Sequence, residues 1–160
     1  MAKIKCYVIM PFDKTSEKHT TEYWTNHYES FLKPLILSQD NIEVSRSEPL
    51  RGDILKQIIH NLITTDIVIA ELTDYNPNVY WELGVRQSFK HCTITIADKN
   101  TELPFDVYMK GTLFYDPNNH IDISDFQIKL KKAINDCISH PEISDSPILE
   151  LISGRGTIYD

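Results

Sequence analysis

The chain has 160 residues, of which 41% are hydrophobic and 24% charged, and its formal net charge is −7. This length suits one hydrophobic core and falls short of two comfortable domains. The acidic balance argues against a surface for duplex nucleic acid, because such surfaces replace phosphate counterions with clustered basic side chains.

Short β-rich apolar runs alternate with segments of helical periodicity along most of the chain. The near-continuous apolar character of these runs indicates a parallel sheet that is covered on both faces. The predicted strands are 4–10, 42–45, 67–70, 93–97 and 112–115.

Three amphipathic helices are predicted from apolar residues at helical spacing. In the first, Pro34 marks a kink or an end point. In the second, Asp53 is the expected N-cap. In the last, Ser124 and Gln127 are expected to form a capping box. These apolar stripes indicate packing rather than chemistry.

Five strands that alternate with helices predict a single Rossmann-like α/β domain with three layers. The sheet is expected to be mainly parallel, in the flavodoxin-like order 2-1-3-4-5. We assign residues 1–139 to this domain and interpret 140–160 as a C-terminal tail or linker. Ligands of such sheets bind outside the carboxyl ends of the strands, which points to the loops 10–14 and 72–79.

The cysteines give an expectation about the compartment. Cys6, Cys92 and Cys137 are odd in number and lack CxxC spacing, which is typical of free thiols in a reducing environment. No apolar run approaches the roughly 20 residues of a membrane span, and the start does not have the pattern of a signal peptide. We therefore expect a cytoplasmic protein without a membrane partner.

The densest group of polar residues with a chemical use follows the third predicted strand, at 76–84. Asn76 is a good N-cap, and Pro77 suits the first helical position. This start places the carboxylate of Glu82 about a turn and a half into the helix, facing the cleft at the strand ends. The alternative is a surface ion pair between Glu82 and Arg86 at i, i+4.

Several other residues of this region could serve either a ligand or the fold. Gly84 is expected to let the helix approach the sheet or a ligand closely. Asp74 and Asn78 are able to contact a ligand, but Asp and Asn also populate turns and caps. Trp81 is able to stack on a base or a sugar, although aromatic core packing is the commoner role.

The first predicted strand ends in the second candidate loop, Met10, Pro11, Phe12 and Asp13. A loop beside the switch point is well placed to close over a nucleotide. Asp13 has the alternative role of a turn residue. Arg46, at the end of the second predicted strand, is either a phosphate ligand or a solvated charge.

Several common motifs are absent from the sequence. No GxGxxG or GxxxxGK follows a strand, so neither of these phosphate cradles is expected. The histidines show no HExxH or Cys/His metal spacing, and we expect no metal site. No GxSxG motif is present, which excludes a hydrolase nucleophile elbow.

The segments 6–12, 66–73 and 76–84 resemble the nucleoside 2-deoxyribosyltransferase-like superfamily. Within it, the chain is most similar to bacterial TIR-like and deoxyribohydrolase-like domains of antiphage defence. The resemblance covers roughly residues 4–115, and the element Asn-Pro-Asn-Val-x-x-Glu-Leu-Gly is its most specific part. Transferases of that superfamily carry an aspartate six residues before the glutamate, where this chain has Asn76.

The resemblance implies cleavage or transfer at an N-glycosidic bond of NAD, a nucleoside or a nucleotide. It makes Glu82 the residue that attacks or stabilises the anomeric carbon. Asp74 is expected to be catalytic with it, by orienting the sugar. Asn76, Asn78 and Trp81 are then expected to bind the sugar or base. The loop Met10, Pro11, Phe12 and Asp13, together with Arg46, is expected to bind the base or a phosphate.

The missing aspartate makes base exchange less expected than hydrolysis, NAD cleavage or binding alone. No cofactor is implied, because NAD would be a substrate. The resemblance also implies a homo-oligomer, since many TIR-like domains complete their sites across a subunit interface. A binding module of a different class, which senses a nucleotide and self-associates without turnover, is the alternative.

Overall fold

Successive side chains of the central strands point alternately into two separate cores, one on each face of the sheet. The structure, a computed structural model, describes residues 2–48, 54–108 and 111–152. In the first strand, Cys6 and Val8 belong to one core, whereas Tyr7 and Ile9 belong to the other. This alternation follows from the two-residue period of a strand.

Five parallel strands form the sheet, in the order β2-β1-β3-β4-β5. The predicted α/β class, the Rossmann-like architecture and the flavodoxin-like strand order are confirmed. The strands are β1 (Ile4–Ile9), β2 (Ile42–Arg46), β3 (Ile67–Glu71), β4 (Thr93–Asp98) and β5 (Leu113–Tyr115).

Helices cover both faces of the sheet, which gives the three predicted layers. The helices are α1 (Thr21–Asn26), a π-helical segment (His27–Leu32), α2 (Lys33–Leu37), α3 (Ile54–Thr64), α4 (Pro77–Phe89), α5 (Phe105–Tyr108), α6 (His120–Ser139) and α7 (Pro147–Ile152). The run from α1 to α2, together with α6, covers one face, and α3, α4 and α5 cover the other. In the described part of the chain, no helix has both the length and the apolarity to cross a membrane.

Two predicted helix features differ from the structure, and a third cannot be compared. The first helical run does not end at Pro34 but continues to Leu37. The proline lies at the start of α2, where the π-helical segment changes to an α-helix. The capping box of Ser124 and Gln127 is wrong, because α6 begins one turn earlier, where the side chain of Asn119 caps it. The expected N-cap Asp53 lies outside the described residues.

The segment after α6 lies against the domain. The Ser146 hydroxyl donates to the carbonyl of Gln87 at 2.6 Å, and the Asp145 carboxylate accepts from the backbone N–H of Thr93, also at 2.6 Å. These bonds tie the beginning of the predicted tail to α4 and to the start of β4. The part of the tail from 153 to 160 lies outside the described residues.

Arg86 anchors α4 to the ends of the neighbouring elements. Its side chain is fully buried, with an exposed fraction of 0%. A buried guanidinium needs acceptors for its N–H groups, and here they are backbone carbonyls at the end of α3 and just before β3 and β4. The carbonyl of Cys92 also accepts from the backbone N–H of Val68 at 3.0 Å. The acceptors are Leu62 and Thr65 (both 2.8 Å), Asp66 (3.0 Å), His91 (2.6 Å) and Cys92 (3.3 Å).

We expect Arg86→Met to lower the free energy of unfolding by about 3 kcal/mol or more, because it leaves several buried carbonyls without donors. Urea denaturation followed by circular dichroism measures this loss. The exposed Lys129→Met on α6 is the matched control and should change stability by no more than about 0.5 kcal/mol. A loss below about 1 kcal/mol for Arg86→Met would contradict the anchoring role.

Candidate functional site

A cleft of about 390 Å³ opens at the carboxyl ends of β1 and β2 and beside the start of α4. It lies next to the switch point between β1 and β3, where the fold predicts a ligand site. Its wall combines apolar side chains with carboxylates and amides. The lining residues are Met10, Phe12, Asp13, Ser47, Glu48, Ile54, Leu55, Ile58, Asn76, Asn78, Trp81 and Glu82.

The start of α4 fixes the direction in which Glu82 points. The side-chain oxygen of Asn76 accepts from the backbone N–H groups of Asn78 (2.9 Å) and Val79 (3.4 Å), and Pro77 begins the helix. The predicted cap is therefore confirmed. Helical geometry then carries Glu82 to the inner side of the helix, in the wall of the cleft.

Glu82 is a buried carboxyl group whose second oxygen has no hydrogen-bond partner. The residue is only 7% exposed, and Oε2 makes no hydrogen bond to any residue that the structure describes. Burial disfavours the charged form and raises the pKa of Glu82 to about 7. Near neutral pH, the group therefore exists in both protonation states. Such a carboxyl group in a cleft wall is typical of functional sites.

The alternative of a surface ion pair between Glu82 and Arg86 is wrong. Arg86 donates to backbone carbonyls around the amino ends of β3 and β4. Glu82, one helical turn earlier, lies at the carboxyl ends of the strands. The two side chains are on one helix, but they point to opposite edges of the sheet, and no basic side chain of the described residues pairs with the carboxyl group.

The expectation for Gly84 is also wrong. Gly84 is exposed, and a Cβ atom added to it would meet no heavy atom within 4 Å. Neither the sheet nor a neighbouring helix therefore requires a glycine at this position. Trp81, by contrast, is 49% exposed and lines the cleft, so its ring is not taken up by core packing. A stacking role for Trp81 stays a prediction.

The loop after β1 contributes three of its four predicted residues to the cleft. Met10, Phe12 and Asp13 line it, whereas Pro11 is buried and is not part of the lining. Asn76 and Asn78, from the start of α4, complete the polar wall. The contacts of these side chains with a ligand remain predictions.

Arg46 lies next to the cleft but does not line it. Its guanidinium sits over the rings of Phe12 (5.2 Å to the centroid) and Tyr28 (5.0 Å), and its Nε lies 3.7 Å from the carboxylate of Glu48. The side chain is 5% exposed. In this position Arg46 supports the ring of Phe12 through a cation–π contact, and its predicted phosphate contact is untested.

Asp74 does not share the cleft with Glu82. It lines a second cavity on the other side of the turn between β3 and α4. Its Oδ2 accepts from the hydroxyl of Thr15 (2.7 Å) and lies 2.5 Å from Nδ1 of His19. Burial opposes the charge of Asp74, but these hydrogen bonds outweigh it and lower its pKa. The structure thus separates the two carboxylates that the resemblance pairs as catalytic.

Five lining residues were not predicted, and all of them follow β2. Ser47 and Glu48 come from the end of that strand, and Ile54, Leu55 and Ile58 come from α3. The rule that ligands bind at the carboxyl ends of strands applies to β2 as much as to β1 and β3. Applied to all three strands, it would have indicated Ser47 and Glu48.

Comparison with protein-family models and with curated proteins finds no match for this chain. The resemblance to the transferase-like superfamily therefore rests on the three sequence segments and their spacing. Across residues 2–48, 54–108 and 111–152, no group of three histidine, cysteine, aspartate or glutamate side chains is arranged to hold a metal ion.

We expect Glu82→Gln to stabilise the protein at high pH. Glu82 has a pKa of about 7 in the folded state and 4.5 as an ordinary glutamate, so the folded protein keeps this proton over a range in which the unfolded chain loses it. The contribution to stability therefore falls as the pH rises through this window, by on the order of 3 kcal/mol in total. Glutamine cannot ionise and removes this loss.

Thermal and urea unfolding at pH values below 4.5 and above 7 measure the difference between Glu82→Gln and the wild type. The variant should be more stable on the alkaline side and nearly equal on the acid side. Glu48→Gln, a 51% exposed side chain of the same cleft, is the matched control and should show no such window. An equal stability difference at both pH values would rule out the buried titration.

Proposed function

We propose that the protein breaks the N-glycosidic bond of a nucleotide-like substrate, with Glu82 as the catalytic residue. The substrate class is NAD, a nucleoside or a nucleotide, with a modest preference for NAD or a nucleotide. The observation that carries the proposal is the buried Oε2 of Glu82, which lines the cleft and has no partner within the described residues. The motif 76–84, which places Glu82 at the position of the glutamate in the resembled superfamily, supports it.

The chemistry requires a negative charge beside the sugar. When the bond between C1′ and the base nitrogen breaks, its electron pair leaves with the base and the sugar becomes oxocarbenium-like. The carboxylate of Glu82 stabilises this cation or bonds to C1′. A water molecule then adds its hydroxide part to C1′. Its proton goes to the departing base of a nucleoside or nucleotide, whereas nicotinamide leaves NAD as a neutral base and the proton is released to solvent.

The burial of Glu82 makes its charge more useful in the transition state than in the free protein. Burial disfavours the charge of the carboxylate and raises its pKa, and no cation of the described residues pairs with it. The positive charge that develops on the sugar compensates the charge of the carboxylate. An interaction that is stronger in the transition state than in the ground state lowers the barrier, which is the requirement for catalysis.

The rest of the cleft suits a base and a sugar. Trp81 and Phe12 offer aromatic faces, and Ile58 belongs to the apolar side of the wall. The side-chain oxygen of Asn76 is engaged in the cap, which leaves its NH₂ group for a sugar hydroxyl. Asn78 offers a second amide at the same rim.

Hydrolysis is better supported than base exchange. Efficient exchange in the resembled transferases relies on a second carboxylate, and here that position is Asn76, an amide used as the helix cap. Asp74, the other carboxylate expected to be catalytic, faces a different cavity. Water is therefore the acceptor that we propose for the sugar.

A binding module that senses a nucleotide signal is the second candidate function. The pKa of about 7 favours it, because a protonated Glu82 donates a hydrogen bond to a bound base and attacks nothing. In this case the protein would act through self-association. In either case we propose a role as an effector or sensor in bacterial defence, which rests on the sequence resemblance.

We expect Glu82→Gln to reduce the release of free base by at least about a hundredfold, since it removes the charge that stabilises the transition state. The protein is incubated with NAD and a pool of nucleosides and nucleotides, and free base is measured by mass spectrometry. The rate constant kcat/KM of the wild type should rise with pH and level off above about 7, because the carboxylate is the active form.

Glu48→Gln is the control, and it should keep most of the activity. If Glu82→Gln releases base at the rate of the wild type, Glu82 is not the catalytic residue. A tight nucleotide complex that yields no product, even at high protein concentration and long incubation, would replace the catalytic proposal with the binding module.

We also expect self-association, with a dimer as the simplest form. Many domains of the resembled kind complete their sites across an interface, so the active species would be the oligomer. Light scattering with and without NAD measures the mass, and base release should increase more than in proportion to protein concentration where monomer and dimer coexist. A monomer under every ligand condition would contradict this expectation.

A further inference from the structure

We propose that a second cavity, at the carboxyl ends of β3, β4 and β5, binds a small organic cation on the carboxylate of Asp98. The ligand class is a molecule with an ammonium or guanidinium group, which offers a positive charge and N–H donors together. The cavity has a volume of about 370 Å³ and shares none of its lining residues with the Glu82 cleft. The proposal is therefore independent of the proposed function.

The first step is a comparison of the carboxylates near this edge of the sheet. Three of them have a basic side chain beside them, which is the usual condition of a buried or half-buried charge. The pairs are Glu71 with His27 (2.9 Å), Asp74 with His19 (2.5 Å), and Asp116 with Lys99.

Asp98 differs from these three. It is only 8% exposed, and its Oδ1 accepts from the backbone N–H (2.8 Å) and the side-chain amide (3.1 Å) of Asn100. No basic side chain of the described ranges forms an ion pair with it. Its Oδ2 accepts no hydrogen bond from any described residue, and Asp98 lines the cavity. Lys99 lies within electrostatic range of Asp98, but its ammonium group is paired with Asp116. Asp98 thus has no basic side chain in direct contact among the described residues, unlike the other three.

A buried carboxylate without a cation costs free energy, and a ligand that brings the cation removes this cost. Lys18 is the basic residue at the rim, but its side chain is exposed and makes no ion pair with Asp98. No basic side chain of the part of the chain that the structure describes therefore occupies the position beside Oδ2.

The electrostatics of the cavity favour a cation over an anion. The hydroxyl of Tyr23, which lines the cavity, has its pKa raised to about 12, first by burial and then by the negative charges of Glu71, Asp98 and Asp74. The same charges repel phosphate groups and carboxylates. They attract an ammonium or guanidinium group, whose N–H donors match the open carboxylate oxygen.

The lining also favours an organic cation over a metal ion. The described residues hold no group of three potential metal ligands, and Asp74, the other carboxylate of the cavity, is bonded by Thr15 and His19. The half-exposed ring of Tyr75 and the ring of Tyr23 border the cavity. Aromatic faces of this kind stabilise ammonium and guanidinium groups through cation–π contacts.

The test uses one tryptophan as a reporter. The chain has two tryptophans, and the buried ring of Trp24 lies 5.3 Å, centroid to centroid, from the ring of His19, which lines the cavity. In Trp81→Phe protein, the fluorescence of Trp24 is followed during titration with putrescine and with agmatine. We expect a saturable change for at least one of them, and none for 1,4-butanediol, which has the length of putrescine without its charge.

The variant Asp98→Asn, made in the same background, should weaken the binding by at least about tenfold. The exposed Asp125→Asn on α6 removes the same charge far from any contact with the cavity lining and should bind like the parent. Glu82→Gln should also leave the binding unchanged, which separates this site from the cleft. Putrescine and agmatine affinities then distinguish an ammonium site from a guanidinium site.

A second variant keeps the test valid if Asp98→Asn does not fold. Asn118→Arg changes an exposed residue at the rim and places a tethered guanidinium there, which should compete with the free cation and weaken binding. The absence of a saturable change with both cations would overturn the proposal. Equal affinities of the parent, Asp98→Asn and Asn118→Arg would overturn it as well.

Discussion

The guanidinium of Arg86 determines how α4 lies on the sheet, and the rest of the site depends on this arrangement. Its N–H groups bind carbonyls from the end of α3, from the entrance to β3 and from the entrance to β4. One buried side chain thereby holds three connections at the amino edge of the sheet. Because Glu82 lies one helical turn before Arg86, anchoring the arginine at this edge leaves the carboxyl group at the opposite edge, in the cleft.

Three buried carboxyl groups near the strand ends differ in how fully their oxygens are hydrogen-bonded, and the two that are less fully bonded line cavities. Glu71 is fully buried and fully satisfied: Oε1 accepts from the backbone and hydroxyl of Thr73, and Oε2 is bonded by Tyr115 and His27. The fold is thus able to satisfy a buried acid completely.

Glu82 and Asp98 are also buried, and each lines a cavity. Oε2 of Glu82 is a buried oxygen without a hydrogen-bond partner in the described chain, and such groups are rare in folded proteins and cost stability. Asp98 accepts from Asn100 through Oδ1, and no described residue donates to its Oδ2.

Features set by neighbouring residues could be predicted from the sequence. The five strands follow from local apolar runs, and the N-cap at Asn76 follows from an Asn-Pro pair ahead of a helix. The strand order follows from general rules for parallel sheets. The capping box at Ser124 failed although it is local, because Asn119 provides a cap one turn earlier.

Features set by tertiary contacts could not be predicted. The spacing of Glu82 and Arg86 allows an ion pair, and only the position of carbonyls from distant segments shows that the arginine is already bound. The rule that ligands bind at the carboxyl ends of parallel strands correctly indicates the edge of the sheet that holds Asp74 and Glu82. It does not say which side of the edge each side chain faces, and the two carboxylates lie in different cavities.

The turn between β3 and α4 explains this separation. Asp74 (φ 65°) and Tyr75 (φ 55°) are consecutive residues in the left-handed region, which costs about 1 kcal/mol or more for each non-glycine residue. Two such residues reverse the chain within one short turn, and Asn76 then leaves it in an extended conformation as the cap of α4.

The bonds of Asp74 to Thr15 and His19 help to offset this strain, and they hold its side chain toward the second cavity. Asn76, two residues later, faces the cleft. Relaxing either left-handed residue would change the direction of both side chains at once. The strained turn is therefore the element that divides one polar strand edge into two sites, with Asp74 in the wall of one and Asn76 in the wall of the other.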